Sequence, residues 1–179
     1  MKQQKTLSIA YNSVFIVMSL ILGFLGRLSI IPVFPFLKLD FSDIPIFLST
    51  LISGIPSGLT ALFVSLILRT FMFSSSGWIG FIIRSTSAIV ILFLGIFNSD
   101  KIKKSYKILW ITFGILLCLI VKLFINYFLW INFFNISPEI IDKFMVSIII
   151  PYNLLKLMIT VFGSFILLNH VVKVIKIAK

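Results

Sequence analysis

Long apolar runs separated by short polar punctuation dominate this chain. They cover about residues 7–26, 44–73, 78–97, 108–131 and 145–169. A bilayer core about 30 Å thick takes about 20 apolar residues per helix, so four of these runs each predict one span. The run 44–73 is too long for one helix and short for two. Ile55-Pro56-Ser57-Gly58 breaks it in the middle, as proline and glycine do. It predicts a helical hairpin, 44–54 and 57–73, either spanning or re-entrant. The pattern gives an all-α integral membrane fold in one domain, 1–179, without an internal repeat. It has six transmembrane helices, a short second helix, and an extended outer loop between helices 1 and 2.

Composition supports this class. The chain is 60% hydrophobic with mean hydropathy +1.18, and a water-soluble chain of this size leaves too much surface exposed to hide that. Sixteen Lys/Arg against five Asp/Glu give +11. In a soluble protein that charge would suggest nucleic acid; in a membrane protein it marks cytoplasmic loops and anionic headgroups of the lipid bilayer. Three basic clusters stand out: Lys2 and Lys5; Lys101, Lys103, Lys104 and Lys107; Lys173, Lys176 and Lys179. Six helices put all three on one side, so both termini are expected in the cytoplasm of a multi-pass cell-membrane protein. The basic start and long first run, with no small-x-small cleavage signal, read as a retained helix. The lone Cys118 allows no intramolecular disulfide and no cysteine-ligated metal site.

That orientation places FLKLDFSDIP, residues 36–45, outside. In an extended segment Leu37, Leu39 and Phe41 share one side, and Lys38, Asp40 and Ser42 the other. Ser42 and Asp43 are placed to cap the second helix, with Pro45 in its first turn. The segment reads as a lid with an apolar underside, or as a loop packed on helix ends.

Four cations fall inside the helices: Arg69, Arg84, Lys122 and Lys156. Each is costly in hydrocarbon and needs a reason. Counted from the helix ends, all four lie in the outer half, together with Asn126 and Asn153. Lys122 and Asn126 are spaced i, i+4, and Asn153 and Lys156 i, i+3, so each pair shares a helix face. Pro151 supplies no amide to its own helix, which frees the carbonyl of Ser147, and such breaks are tolerated where backbone lines a cavity. The result is a polar, outward-opening pocket, with Arg69 and Arg84 either lining it or snorkelling to headgroups. No acidic residue lies within a span, so a ligand with acceptor oxygens is expected to supply the missing counter-charge.

No phosphate loop of the form GxxxxGK[ST] occurs. Intramembrane Asp, Glu or His for a proton relay is absent, as are metal-ligand clusters and nucleophile–base constellations. The chain reads as a binding protein rather than an enzyme, without metal or cofactor, energised from elsewhere. A stand-alone secondary carrier and a non-transporting assembly factor are the competing classes.

FLKLDFSDIP, the Gly54-to-Gly58 break and IIPYNLLK at 149–156 resemble the substrate-binding S components of energy-coupling factor (ECF) vitamin transporters, and among them the riboflavin type. The resemblance implies a vitamin bound near the outer face beneath the first loop. It also implies two kinds of partner: a membrane coupling subunit and two cytoplasmic ATPases. It matches Asn153, Lys156 and Asn126 to positions that hold the flavin. With Lys122, Arg84, Asp40, Leu39 and Phe41 from the pocket and lid, these form the candidate substrate-binding set. Two departures follow. The Ala-x-x-x-Ala used for docking is not kept, since Val14 follows Ala10, although small residues recur at Ser19, Gly23 and Gly26. Arg84 stands in GFIIRSTSA where the riboflavin type tends to carry asparagine, which favours a ligand with a carboxylate or phosphate. Pantothenate-type S components are the alternative.

Overall fold

The computed structural model describes residues 2–25, 28–29, 38–73, 77–98, 103–134 and 137–177. Among these residues the architecture is all-helical apart from one ladder of two-residue strands. Helix α1 covers Lys2–Leu25, α2 Asp43–Ser53, α3 Ile55–Phe73, α4 Gly77–Ser85 and α5 Ser87–Leu94, the last running into a 3₁₀ turn at Gly95–Asn98. Helix α6 covers Lys104–Phe134, α7 Pro138–Phe144 and α8 Ile150–Ile177, with a π-helical turn at Met145–Ile149 joining the last two. Strands β1 (Leu28–Ser29) and β2 (Lys38–Leu39) pair antiparallel, Leu28 opposite Leu39. Phe36 and Leu37 of the expected lid, Gly26 and Lys101 lie outside the described residues.

Among the described residues, five segments are long and apolar enough to cross a membrane: Ser8–Leu25, Ile55–Met72, Trp78–Phe97, Ser105–Phe133 and Pro138–Lys173. The sixth predicted helix, α2, is an eleven-residue apolar helix, too short to span. Two boundaries differ from expectation. Helix α6 starts at Lys104 rather than near 108, because Lys107 turns its ammonium back onto the Phe97 carbonyl (2.8 Å) and over the Phe97 ring. The last span starts at Pro138 rather than 145, since Ser137 and Pro138 supply a helix start.

The break after α2 is a single residue. Gly54 has φ 88 and ψ 177, a backbone conformation essentially confined to glycine. Pro56 then sits in the first turn of α3, where an amide is not needed. Across the bend Gly58 meets the side chain of Thr50 so closely that a β-carbon would overlap it.

Helix α2 is the hub of the packing. Its Ile46, Phe47 and Leu51 join Leu62 and Leu66 of α3, Val90, Ile91 and Leu94 of α5, Cys118 and Leu119 of α6, and Leu157 and Val161 of α8 in one core. A second cluster holds Phe15, Ile44 and Leu48, with Phe41 and Tyr11 against it. Hydrogen bonds fix the depth of α2. At its start, the Ser164 hydroxyl of α8 donates to the Ile44 carbonyl (3.3 Å) and Ser87, midway along its own span, donates to Asp43 (3.5 Å). Near its end, Ser49 donates to Asn12 (2.8 Å), and the Asn12 amide donates to Thr60 (2.8 Å). Helix α2 therefore fills the half of the bundle nearer the N-terminus of α1, and its own N-terminus lies near mid-depth. The connection entering it dips into the bundle.

Candidate functional site

The dipping connection carries Asp40, 1% exposed. One oxygen, Oδ1, accepts the Ser42 amide at 2.8 Å, an Asx-type turn that leads into α2. The other, Oδ2, accepts Nη2 of Arg69 at 2.7 Å and Nη2 of Arg84 at 2.5 Å. The Ser42 hydroxyl accepts Nη1 of Arg69 and, at 3.4 Å, Nη1 of Arg84. One loop carboxylate and one loop hydroxyl thus tie α3 to α4. The guanidinium of Arg69 lies against Gly23 of α1, where any side chain would overlap it.

This overturns the expectation that the intramembrane cations lack a protein counter-ion. Asp40 supplies one for Arg69 and Arg84, from outside the spans. Snorkelling does not describe them either, since both guanidiniums point to a buried carboxylate. Burial alone would raise the Asp40 carboxyl above its ordinary range. The charges of Arg84, Lys156 and Arg69 and the Ser42 hydrogen bond outweigh it and hold the carboxyl well below that range. The expected cap is also different. Ser42 occupies the N-cap position of α2 without a side-chain cap bond, because its hydroxyl is taken by the arginines. Asp43 in the first turn complements the helix dipole instead.

Lys122 of α6 and Lys156 of α8 differ from the arginines. Lys122 is 4% exposed, and neither lysine's ammonium has a hydrogen bond or direct ion pair shown among the described residues, although the Lys156 carbonyl accepts the Thr160 hydroxyl at 2.9 Å. Lys156 lies within electrostatic reach of Asp40, Asp43, Arg84 and Lys122, so the structure brings Lys156 to the Asp40 cluster and Lys122 to Lys156. Tyr152, one turn before Lys156, senses Asp40, Arg84 and Asp43 as well and was not among the predicted residues. Asn126 and Asn153 are both buried. The side-chain amide of Asn153 donates to the Ile149 carbonyl at 2.9 Å, one turn back at the end of the π turn. That turn answers Pro151: the Ile150 amide reaches five residues back to Met145, the wider register used where a helix absorbs an extra residue.

Of the lid residues, Leu39 is placed by its backbone pairing with Leu28. Phe41 is half-buried and packs with the Phe15–Ile44–Leu48 cluster. The extended segment is shorter than expected: it ends at Leu39, and the chain turns at Phe41-Ser42, with the Ile44 amide bonded to the Phe41 carbonyl at 3.1 Å. At the opposite end of α3 a shallow groove is lined by Ser8, Asn12, Pro56, Ser57 and Thr60. It is remote from the charged cluster and separate from this site. Among the described residues no group of His, Cys, Asp and Glu is arranged to hold a metal ion.

A sequence model of the family described as "ECF transporter, substrate-specific component" matches residues 7–175. No curated protein matches the chain. Among solved structures, one described as the S component of a bacterial ECF transporter superposes with a TM-score of 0.75 at 23% identity. The match covers 96% of this chain and 99% of that one, and at that identity it bears on the fold. With the family match spanning nearly the whole length, the chain belongs to the substrate-specific components of ECF transporters, multi-pass membrane subunits that work within a larger transporter and form no enzyme class.

Proposed function

We propose that this S component binds a water-soluble vitamin, riboflavin first among the candidates, at the loop end of the bundle. In this reading the loop end faces outward and both termini face the cytoplasm. A membrane coupling subunit and two cytoplasmic ATPases then drive uptake. The observation that carries it is the placement of two lysines, buried Lys122 and half-buried Lys156, on the same helices as the buried amides Asn126 and Asn153, near a loop held by Asp40. Lysine in such a place offers strong donors to acceptor oxygens, and the edge of an isoalloxazine presents two carbonyls and a ring nitrogen. Arg84 supported an anionic ligand while its charge lacked a partner; its bond to Asp40 removes that argument. The remaining positive charge on Lys122 and Lys156 supports a second reading, an anionic vitamin of the pantothenate type. Purification with native ligand and an ultraviolet-visible spectrum separates the two. Flavin bands in the bound fraction support riboflavin, whereas a colourless protein that binds pantothenate and not riboflavin overturns it.

A further inference from the structure

Asp40 sits where a ligand oxyanion would sit. Its Oδ2 is met by two guanidiniums from different helices, and the Ser42 hydroxyl closes the other fork of each. Two arginine forks, a hydroxyl and a backbone amide are the donor set of a phosphate site. Here they converge on a carboxylate carried by the chain itself. Arg69 is fixed from behind by the bare backbone of Gly23, so the seat is built rather than fortuitous. It adjoins the candidate vitamin site, since Arg84 and Asp40 both lie within reach of Lys156 and Tyr152.

We propose that Asp40 is the built-in occupant of a two-arginine anion seat formed by Arg69, Arg84 and Ser42, and that its occupancy determines specificity by turning away ligands that carry a phosphate. An external phosphate entering the seat must displace Asp40, which competes from within the same chain, and would bring a second anion against an already buried one. A neutral ligand meets no such opposition. Removing the carboxylate while keeping its shape leaves two adjacent guanidiniums without a counter-ion, and the seat then accepts a free oxyanion.

The test follows thermal unfolding of the purified protein at neutral pH, in phosphate and in chloride at equal ionic strength. Wild type should respond equally to both salts. Asp40→Asn should melt lower in chloride and be raised by phosphate, by about 3–6 °C at ten times the dissociation constant. Asp40→Asn/Arg84→Met should lose that response. Equal behaviour of Asp40→Asn in the two salts overturns the proposal. If Asp40→Asn alone does not accumulate, the double variant should restore accumulation by removing the surplus charge, and failure of both also overturns it. A second arm rests on the proposed vitamin: fluorescence titration with riboflavin and riboflavin 5′-phosphate. Asp40→Asn should shift relative affinity toward the phosphate by about tenfold or more, the scale of one charge-assisted contact. An unchanged ratio counts against the seat. Wild type that binds no riboflavin sinks the vitamin reading instead, and the phosphate arm still decides the seat on its own.

Discussion

Arg69 donates to Asp40 across 2.7 Å and 29 positions of sequence, joining the far end of α3 to the loop that precedes α2. Because Arg84 shares the same carboxylate oxygen, the loop is held to two helices at once. Release of the loop therefore strands two cations in a poorly hydrated place. Breaking a buried pair by removing one partner costs about 3–5 kcal/mol. Asp40→Ala should accordingly lower the melting temperature and speed hydrogen exchange of the Ser42 amide, whose acceptor is Asp40 Oδ1. An unchanged Ser42 exchange rate would show that the loop is held by packing alone.

The same carboxylate sets a pH limit. Its carboxyl is held low in the folded protein by Arg84, Lys156, Arg69 and Ser42 against the effect of burial. An acid whose folded-state pKa is depressed contributes stability above its unfolded value, about 3.9, and loses it as pH falls through the folded value. Melting temperature measured from pH 8 downward should keep the full Asp40 contribution, unchanged, to about pH 4 and then lose it on the acid side. Asp40→Asn should lack that limb and start from a lower plateau.

Recognition by α8 gives a third expectation. Lys156→Met keeps the apolar stem and removes the ammonium; losing a charge-assisted bond of about 1.5–3 kcal/mol should weaken vitamin binding about ten- to a hundredfold. Asn153→Leu should cost a comparable amount, and the double variant less than the sum if both hold one ligand group. Calorimetric titration with the vitamin recovered from the native protein decides it. Full affinity in both single variants would move the site away from this face.

Much of the fold was legible because hydropathy marks the long apolar helices and their order almost directly. The expected count of six spans was not met, since α2 is too short to cross and five segments are long enough among the described residues. The site was only half legible. Lys122 with Asn126, and Asn153 with Lys156, announce themselves by helical spacing and by polarity where polarity is costly. The counter-ion for Arg69 and Arg84 did not, because Asp40 lies in a connection, and no local pattern tells how deep a connection dips. Depth came from long-range bonds such as Ser164 to Ile44. Likewise Pro151 signalled an irregular helix, but that the irregularity is a π turn depends on the whole α7–α8 packing.

Two glycines offer a stability test of that packing. Gly54→Ala makes only an ordinary contact with the Pro56 ring but must hold φ 88, ψ 177, a strain of about 1–3 kcal/mol. Gly23→Ala fits the helix but overlaps the Arg69 guanidinium. Both should lower the melting temperature. Only Gly23→Ala should also speed Ser42 exchange, because it displaces a partner of Asp40. Equal exchange in the two variants would uncouple Gly23 from the loop.

Transport should require more than this chain. Reconstituted alone in liposomes with a proton gradient, it should bind vitamin without concentrating it; accumulation inside the vesicles would revive a secondary carrier.

The brevity of α2 has a geometric consequence. Eleven residues at 1.5 Å each reach about 16 Å, roughly half of the apolar thickness that its neighbours traverse. A full-length helix would have continued for about another 14 Å as a cylinder about 10 Å across, displacing about 1,100 Å³. That shortfall falls at the Asp43 end of α2, the end at which the Asp40 loop enters and ties α3 to α4. Such a volume compares with the clefts in which proteins enclose small molecules, about 300–1,000 Å³, and the buried Asp40 loop takes part of it. Truncation of one helix thus admits a connection to the middle of the bundle, and with it the acidic charge that Arg69 and Arg84 share.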